Sequence, residues 1–155
     1  MCTNKVVFLQ GERLYLRALE PSDAEKALRF INDPDTRRWL TVVTPMNLAS
    51  EREWIEAGCE SKTKITLGIV LVDGDRYIGN IGLHNINHID RRATSGMMIG
   101  EPECRGQGYG PEAKELLLDY AFNTLNLEMV TSLTIGGNAR SHGSLLKSGY
   151  THEAT

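Results

Sequence analysis

Three glycines at alternate positions follow an arginine in the stretch ECRGQGYGPEA, residues 103–113. Glycine adopts positive φ at low cost and lets the backbone approach a ligand closely. Amides at the start of the helical pattern that follows favour an anion, and the Arg105 guanidinium adds donors that suit phosphate oxygens. A simple strand-to-helix turn needs only one glycine. The spacing of Gly106, Gly108 and Gly110 therefore favours an anion-binding loop, and a pyrophosphate meets all of these requirements.

Two common nucleotide-binding motifs do not fit this stretch. The dinucleotide fingerprint is G-x-G-x-x-G with an acidic residue at the end of the next strand. Here the glycines form G-x-G-x-G, and Glu128 precedes its strand. A P-loop continues with G-K-S or G-K-T, whereas Gly110 is followed by Pro111 and Glu112. The predicted anion is therefore held neither as in a dinucleotide-binding fold nor as in a P-loop protein.

The elements that must position the loop alternate between strands and helices. The hydrophobic pattern predicts the order β-α-α-β-β-β-α-β-α, which indicates an α+β or α/β class. The loop joins a strand to a helix within a β-α-β unit, whose two strands run parallel. A capping box at residues 22–25 and a turn at 73–74 mark two element boundaries. Strands are predicted at 13–17, 66–72, 76–83, 94–99 and 130–135, and helices begin near residues 22, 50, 111 and 138.

The bulk properties of the chain exclude several classes of protein. A net charge of −3 lacks the basic character of a nucleic-acid-binding protein. The sequence shows no signal peptide and no membrane span, so a single cytoplasmic domain, residues 1–155, is expected. Cys2, Cys59 and Cys104 have no C-x-x-C spacing and predict free thiols. The four histidines form no metal-binding motif, and no metal site is expected.

Arg105, Gly108 and Gly110 form the pattern R-x-x-G-x-G, which resembles the pyrophosphate loop of the GNAT superfamily of acetyl-CoA-dependent N-acetyltransferases. The resemblance extends over essentially the whole chain. The remaining matches are residues 97–103 to the family's splayed fourth strand, 109–113 to the helix start, and Asn138 with Gly149 and Tyr150 to a segment near its C-terminus. Residues 14–33 and 76–87 are similar to the branch that acetylates ribosomal-protein N-termini, spermidine-type amines and some aminoglycosides.

The resemblance implies an α+β fold in three layers, with a mixed, largely antiparallel sheet around a central β-α-β acetyl-CoA-binding unit. Family members continue through two further strands after the segment that contains Tyr150, whereas this chain stops at Thr155. The chain is therefore expected to lack the last strands of the sheet, either because it is truncated at its C-terminus or because a partner supplies them. The exposed sheet edge that results favours self-association as a homodimer.

Acetyl-CoA is the cosubstrate that the resemblance implies. Backbone amides at the end of the fourth strand would hold the pantetheine arm and polarise the thioester carbonyl, the loop would bind the pyrophosphate, and an asparagine would bond the pantetheine or a bound water. The residues at these positions are Met98, Ile99 and Gly100 for the strand, Arg105, Gly106, Gln107, Gly108, Tyr109 and Gly110 for the loop, and Asn138.

The resemblance also suggests three catalytic residues. Glu101 and His84 are the candidates for the base that takes a proton from the amine, although a solvated loop charge and a half-buried strand residue are the ordinary interpretations. Ser141 matches a serine that contacts the sulfur in the ribosomal-protein branch, and it also suits a helix N-terminus. Leu145 stands where many members have a tyrosine acid, and Tyr150 is expected to be a core aromatic.

These features imply an N-acetyltransferase that moves an acetyl group to a primary amine, either a protein N-terminus or a small amine, by direct attack in a ternary complex. Cys104 lies beside the loop, but it has no paired histidine for an acyl-cysteine route. Two alternatives remain, a coenzyme A-binding module without catalysis and an interaction protein of the same fold. The sequence does not identify the amine.

Overall fold

The computed structural model describes residues 5–155, so Cys2 lies outside the described residues. Its centre is a six-stranded sheet in which the strands follow chain order. The strands are β1 (Leu9–Gln10), β2 (Leu14–Ala18), β3 (Ile65–Leu71), β4 (Arg76–Asn87), β5 (Arg92–Ile99) and β6 (Met129–Ser132). The helices are α1 (Ala24–Asn32), α2 (Pro34–Arg37), α3 (Leu48–Glu60), α4 (Tyr109–Asn123) and α5 (Ala139–Lys147).

The sheet is mixed and largely antiparallel, as the sequence predicts. Every neighbouring pair from β1 to β5 runs antiparallel, and β5 and β6 run parallel with α4 as the connection between them. A parallel pair requires such a crossover because the chain must return to the same end of the sheet. The predicted β-α-β unit around the glycines is therefore confirmed.

Helices cover both faces of the sheet, which gives three layers. Successive strand residues point to opposite faces. On one face Leu14 and Leu16 pack in a buried cluster with Ala113 and Leu117 of α4. On the other face Tyr15 packs in a second buried cluster, which contains α1 and α3 residues: Ala24, Ala27, Phe30 and Ile55. The α4 face and the α1–α3 face are named accordingly below.

Local boundaries differ from the predictions where short-range hydrogen bonding decides them. The capping box predicted at residues 22–25 does not form, because residues Pro21–Asp23 make a 3-10 turn and α1 begins only at Ala24. Asp23 instead accepts a hydrogen bond from the Glu20 amide at 2.8 Å. Helix α3 is longer than predicted, since Asn47 caps it and Gly58 lies inside it. The two-residue strand β1 and the four-residue helix α2 are too short for a periodic pattern to predict.

Helix α4 begins two residues before the proline that was predicted to start it. Gly108 is its N-cap, with φ of 83°, and Pro111 is its third residue. The first amides of a helix have no acceptor within it, so the missing N–H of Pro111 still costs no hydrogen bond there. The strand after α4 is shorter than predicted, ending at Ser132.

Among residues 5–155, none of the helices combines the length and the apolar character needed to cross a bilayer. The same residues contain no cluster of three or more His, Cys, Asp or Glu side chains that could bind a metal ion. Cys59 and Cys104 are both free thiols.

Candidate functional site

Strands β5 and β6 separate partway along β5, and the point of separation is called the fork. Their paired residues run from Arg92 with Met129 to Ser95 with Ser132. β5 continues to Ile99, where it is still paired with β4. Residues 96–99 therefore have one edge without a strand partner in the described part of the chain. An extended ligand can bond such an edge as another strand would.

The direction of each amide along residues 96–99 follows from one hydrogen bond. The Gly100 amide donates to the Ile78 carbonyl at 2.8 Å and so faces β4. Because successive amides of a strand point to opposite edges, Met98 also faces β4, and Met97 and Ile99 face the open edge. This corrects part of the predicted site, since the Gly100 amide is already bonded within the protein. Only Ile99, of the three predicted strand residues, directs its amide to the open edge.

The glycine loop, residues 105–110, presents a set of unbonded amides. None of the five backbone amides of residues 106–110 donates a hydrogen bond to any other group of residues 5–155. Gly106 and Gly108 have φ of 72° and 83°, a conformation that residues with a Cβ avoid. These amides lie at the N-terminus of α4, where the helix dipole also favours negative charge. The loop therefore has the donors and the field that an anion requires.

Gly110, the third glycine of the loop, is required for close packing and not for its backbone conformation. Gly110 is buried, and a Cβ there would lie 2.9 Å from Met97 Cε. The absence of a side chain lets the first turn of α4 approach β5 closely. Gly100 is similar, because its Cβ would lie 2.1 Å from the Phe30 ring.

The Arg105 side chain is bonded within the protein. Its Nε donates to the Ile99 carbonyl at 3.0 Å, and its Nη2 donates to Thr36 Oγ1 at 2.7 Å. Thr36 is held in turn by Asp33, whose carboxylate accepts from the Thr36 amide at 2.9 Å and caps α2. That amide is the main reason why the pKa of Asp33 is lowered. Arg105 therefore ties the end of β5 to α2, a role that the sequence did not predict.

Arg13 borders the loop and was missed by the sequence analysis. Its Nη1 donates to the Gln107 carbonyl at 2.9 Å, and its guanidinium lies 4.6 Å from the centre of the Tyr109 ring. Its Nε also donates to Glu112 at 3.0 Å. Arg13 thus compensates the one acidic residue in the first turn of α4. Only tertiary structure brings this arginine of the N-terminal strands to the loop, so no local sequence signal indicates it.

The two candidate bases lie at different places. His84 is exposed and pairs with Thr94, and its Cε1 lies 3.9 Å from the position that a Gly96 Cβ would take. Gly96 is the first residue of β5 beyond the fork, so His84 lies at the fork on the α1–α3 face. Glu101 lies past the end of β5 and forms ion pairs with Lys26 at 2.9 Å and Arg76 at 3.0 Å. Its charge is therefore already compensated.

The remaining predicted residues have structural partners. Asn138 is the N-cap of α5, and its Oδ1 accepts a hydrogen bond from the Ser141 amide at 3.2 Å. The cap leaves the side-chain Nδ2 of Asn138 and the Ser141 hydroxyl without a hydrogen bond to residues 5–155. Cys104 is buried, and burial raises the pKa of its thiol, which disfavours the thiolate needed for an acyl-cysteine route.

Comparisons with known proteins agree with this architecture. The family described as Acetyltransferase (GNAT) domain matches residues 13–151. A candidate ribosomal N-acetyltransferase of Bacillus subtilis (strain 168), YdaF, is 31% identical over 149 residues, which cover 92% of this chain and 80% of that protein. The uncharacterized N-acetyltransferase p20 of Bacillus licheniformis is 28% identical over 126 residues, 79% of this chain and 70% of p20. The structure of spermidine N-acetyltransferase from Vibrio cholerae in complex with CoA and spermine has a TM-score of 0.84 at 22% identity, covering 92% and 83% of the two chains.

Proposed function

Because the chain belongs to the GNAT family of N-acetyltransferases, we propose that it transfers the acetyl group of acetyl-CoA to a primary amine by direct attack within a ternary complex. The five unbonded amides of residues 106–110 carry this proposal. A pyrophosphate offers acceptor oxygens and negative charge to such a set of donors. The CoA complex of the spermidine N-acetyltransferase supports the same donor.

The fork gives the rest of the donor a place to bind. The pyrophosphate would bind residues 106–110, with Arg105 and Arg13 as the nearby cations. The pantetheine arm would follow the open edge of β5 and accept hydrogen bonds from the Met97 and Ile99 amides, and Asn138 would contribute its free side-chain Nδ2. An amide directed at the developing oxyanion lowers the barrier by about 3 kcal/mol in other acyl-transfer enzymes.

His84 is the residue that we assign as the base. The acceptor amine must lose a proton as it attacks, and an imidazole can take that proton directly or through water. His84 is exposed at the fork, whereas Glu101 is bound by two cations at the end of β5. The acceptor is either a protein N-terminus or a small polyamine, because a ribosomal N-acetyltransferase is among the relatives and a spermidine N-acetyltransferase among the structural neighbours.

The test combines coenzyme A binding with turnover. Titration calorimetry should detect binding of coenzyme A, and thiol release should appear when acetyl-CoA is mixed with an active member of a panel of peptides and polyamines. His84→Gln should lower kcat by about a hundredfold or more and leave coenzyme A affinity unchanged. His88→Gln is the matched control, because His88 is exposed in the turn after β4 and should behave as wild type.

Binding of coenzyme A without turnover on any amine would contradict the catalytic proposal and favour a binding module. Absence of coenzyme A binding would contradict the assignment of the loop as well.

A further inference from the structure

A polar cluster with two buried members and one half-buried member lies on the α4 face of the fork. It consists of Ser95, Lys114 and Tyr150 and is called the fork trio. Ser95 Oγ lies 2.7 Å from Tyr150 Oη and 3.4 Å from Lys114 Nζ. Lys114 Nζ also lies 5.7 Å from the centre of the Tyr150 ring. Three elements supply the trio, namely β5, α4 and the segment after α5.

Lys114 is an unusual residue for its position. Its side chain is only 2% exposed, among α4 neighbours such as Ala113 and Leu117 that belong to the apolar core. No carboxylate of residues 5–155 lies within ion-pair distance of it, and its Nζ lies near the Tyr150 ring. Burial lowers the pKa of Lys114 to about 8. An apolar side chain would be less costly here, which points to a chemical role.

The fork trio lies beside the part of β5 where the reacting groups are proposed to bind. Ser95 is the last β5 residue paired with β6, so the trio lies where the open edge begins. His84 lies at the neighbouring Gly96 on the opposite face of the sheet. The amine loses a proton on one face, and the departing sulfur needs a proton that nothing in the proposed function supplies. Leu145, which stands where many family members have a tyrosine acid, has no proton to donate.

We propose that Tyr150 is the acid that protonates the departing sulfur of coenzyme A, and that Lys114, acting through Ser95, positions Tyr150 and returns its proton. The inference rests on the proposed function. Ser95 Oγ already contacts Lys114, Tyr150 and the Thr131 carbonyl. Among residues 5–155 Tyr150 Oη bonds only to Ser95, and when Ser95 donates in that bond the phenol O–H is free to donate to a second group. Tyr150 is therefore the catalytic member, and the other two are positioning residues.

The amine nitrogen attacks the thioester carbon, a C–N bond forms, and the C–S bond breaks with its electron pair going to sulfur. The Tyr150 hydroxyl proton passes to the sulfur, and a proton from the Lys114 ammonium passes through Ser95 to the phenolate. The proton lost by the amine leaves through His84 to solvent, and Lys114 is reprotonated from solvent. The products are an N-acetyl amine and a free thiol.

Lys114 brings the free energy of the proton transfer to the sulfur close to zero. Burial raises the pKa of Tyr150, with the Ser95 hydrogen bond opposing it, so the phenol alone is a weak acid for this task. Lys114, with a pKa of about 8, is close to a thiol with a pKa of about 8.5. Lys114 and Tyr150 can therefore protonate the thiolate near neutral pH, where Lys114 is mainly protonated.

The first measurement does not depend on turnover. The thiolate absorbance of bound coenzyme A is titrated from about pH 6 to about pH 10, with the desulfo-coenzyme A complex subtracted as a blank. The Lys114 charge should lower the pKa of the bound thiol, so Lys114→Met should raise it by about one unit, a tenfold change in thiolate fraction. Lys147→Met, at an exposed position of α5, should match wild type.

The second measurement is the rate. Tyr150→Phe keeps the ring and removes the proton, so kcat should fall by about a hundredfold with KM little changed. Lys114→Met creates no unpaired partner, since Ser95 keeps Tyr150 and Thr131, so this variant should fold. If wild type binds no coenzyme A, the proposed function fails and this inference with it. If coenzyme A binds but the thiol pKa and kcat are unchanged in both variants, only this inference is overturned.

Discussion

At the scale of one residue, the burial of Lys114 makes the free energy of unfolding depend on pH. Burial lowers the pKa of this side chain from its ordinary 10.5 to about 8. Below about pH 8 both the folded and the unfolded chain carry the charge, and the folded state bears the full cost of burying it. At about 1.4 kcal/mol per pKa unit, that cost is about 3 kcal/mol. Between about pH 8 and 10.5 the unfolded chain binds more protons, so this contribution to stability rises with pH.

We therefore expect Lys114→Met to be more stable than wild type by up to about 3 kcal/mol at neutral pH. The gain should shrink as pH rises and vanish above about pH 10.5. Urea unfolding at several pH values measures it, with Lys147→Met as the control that changes stability by less than about 0.5 kcal/mol. A gain that is the same at every pH would contradict burial of the charge as its cause. A buried, unpaired charge that costs stability is typical of a functional site.

The sequence predicted some site residues and missed others for a physical reason. The residues of the glycine loop are neighbours in the sequence, so the spacing of the glycines alone predicts the anion-binding amides of residues 106–110. Ser95, Lys114 and Tyr150 come from separate elements, and no spacing indicates that they meet. The sequence resemblance even suggested a core role for Tyr150, since its hydroxyl partner on β5 is visible only in the fold.

At the scale of the element, the start of α4 depends on Gly108. Its φ of 83° would cost a residue with a Cβ about 1–2 kcal/mol. An added Cβ would also lie 3.2 Å from Arg13 Nη2. Gly108→Ala should therefore distort the unbonded amides and weaken coenzyme A binding by about fivefold to thirtyfold.

Calorimetry compares this variant with Gly136→Ala, where φ is not positive and a Cβ would meet nothing within 4 Å. Gly136→Ala should bind coenzyme A as wild type does. Equal affinity for Gly108→Ala would show that the loop conformation is not needed for binding.

Element types were predicted better than their ends. The order of the longer strands and helices follows from hydrophobic periodicity, which is a property of many residues together. Ends depend on single hydrogen bonds, such as the Glu20 amide bond to Asp23 that delays α1. The direction of the Gly100 amide belongs to the same category, because it depends on the register of β5 against β4.

At the scale of the whole molecule, a cluster of ion pairs joins the N-terminal segment, β2 and the turn before α1. The Asp23 carboxylate accepts from Arg17 at 2.7 and 3.0 Å and from Lys5 at 2.7 Å. Burial alone would raise the pKa of Asp23, but the hydrogen bonds from Arg17, Lys5 and the Glu20 amide lower it. A carboxyl with a lowered pKa contributes stability above its unfolded pKa and loses it as pH falls through the folded pKa.

Asp23→Asn should therefore destabilise the protein by about 3 kcal/mol at neutral pH, because it leaves the Arg17 charge buried without its partner. The difference from wild type should shrink as pH falls below about 4, because the unfolded chain then binds a proton at Asp23 before the folded protein does. Urea unfolding at both pH values tests this. Asp90→Asn removes an exposed pair with Arg92 and should cost less than about 1 kcal/mol.

The fork has a further consequence for exchange with solvent. The amides of Met97 and Ile99 face an edge that β6 has left, so solvent deuterium can replace their protons without any opening of the sheet. Their neighbour Gly100, bonded to Ile78, exchanges only when that bond opens. A donor lying along the edge would slow the first two amides and leave the third almost as it was. The exchange rates of the Ile99 and Gly100 amides, compared in one experiment, therefore report how long the donor stays bound.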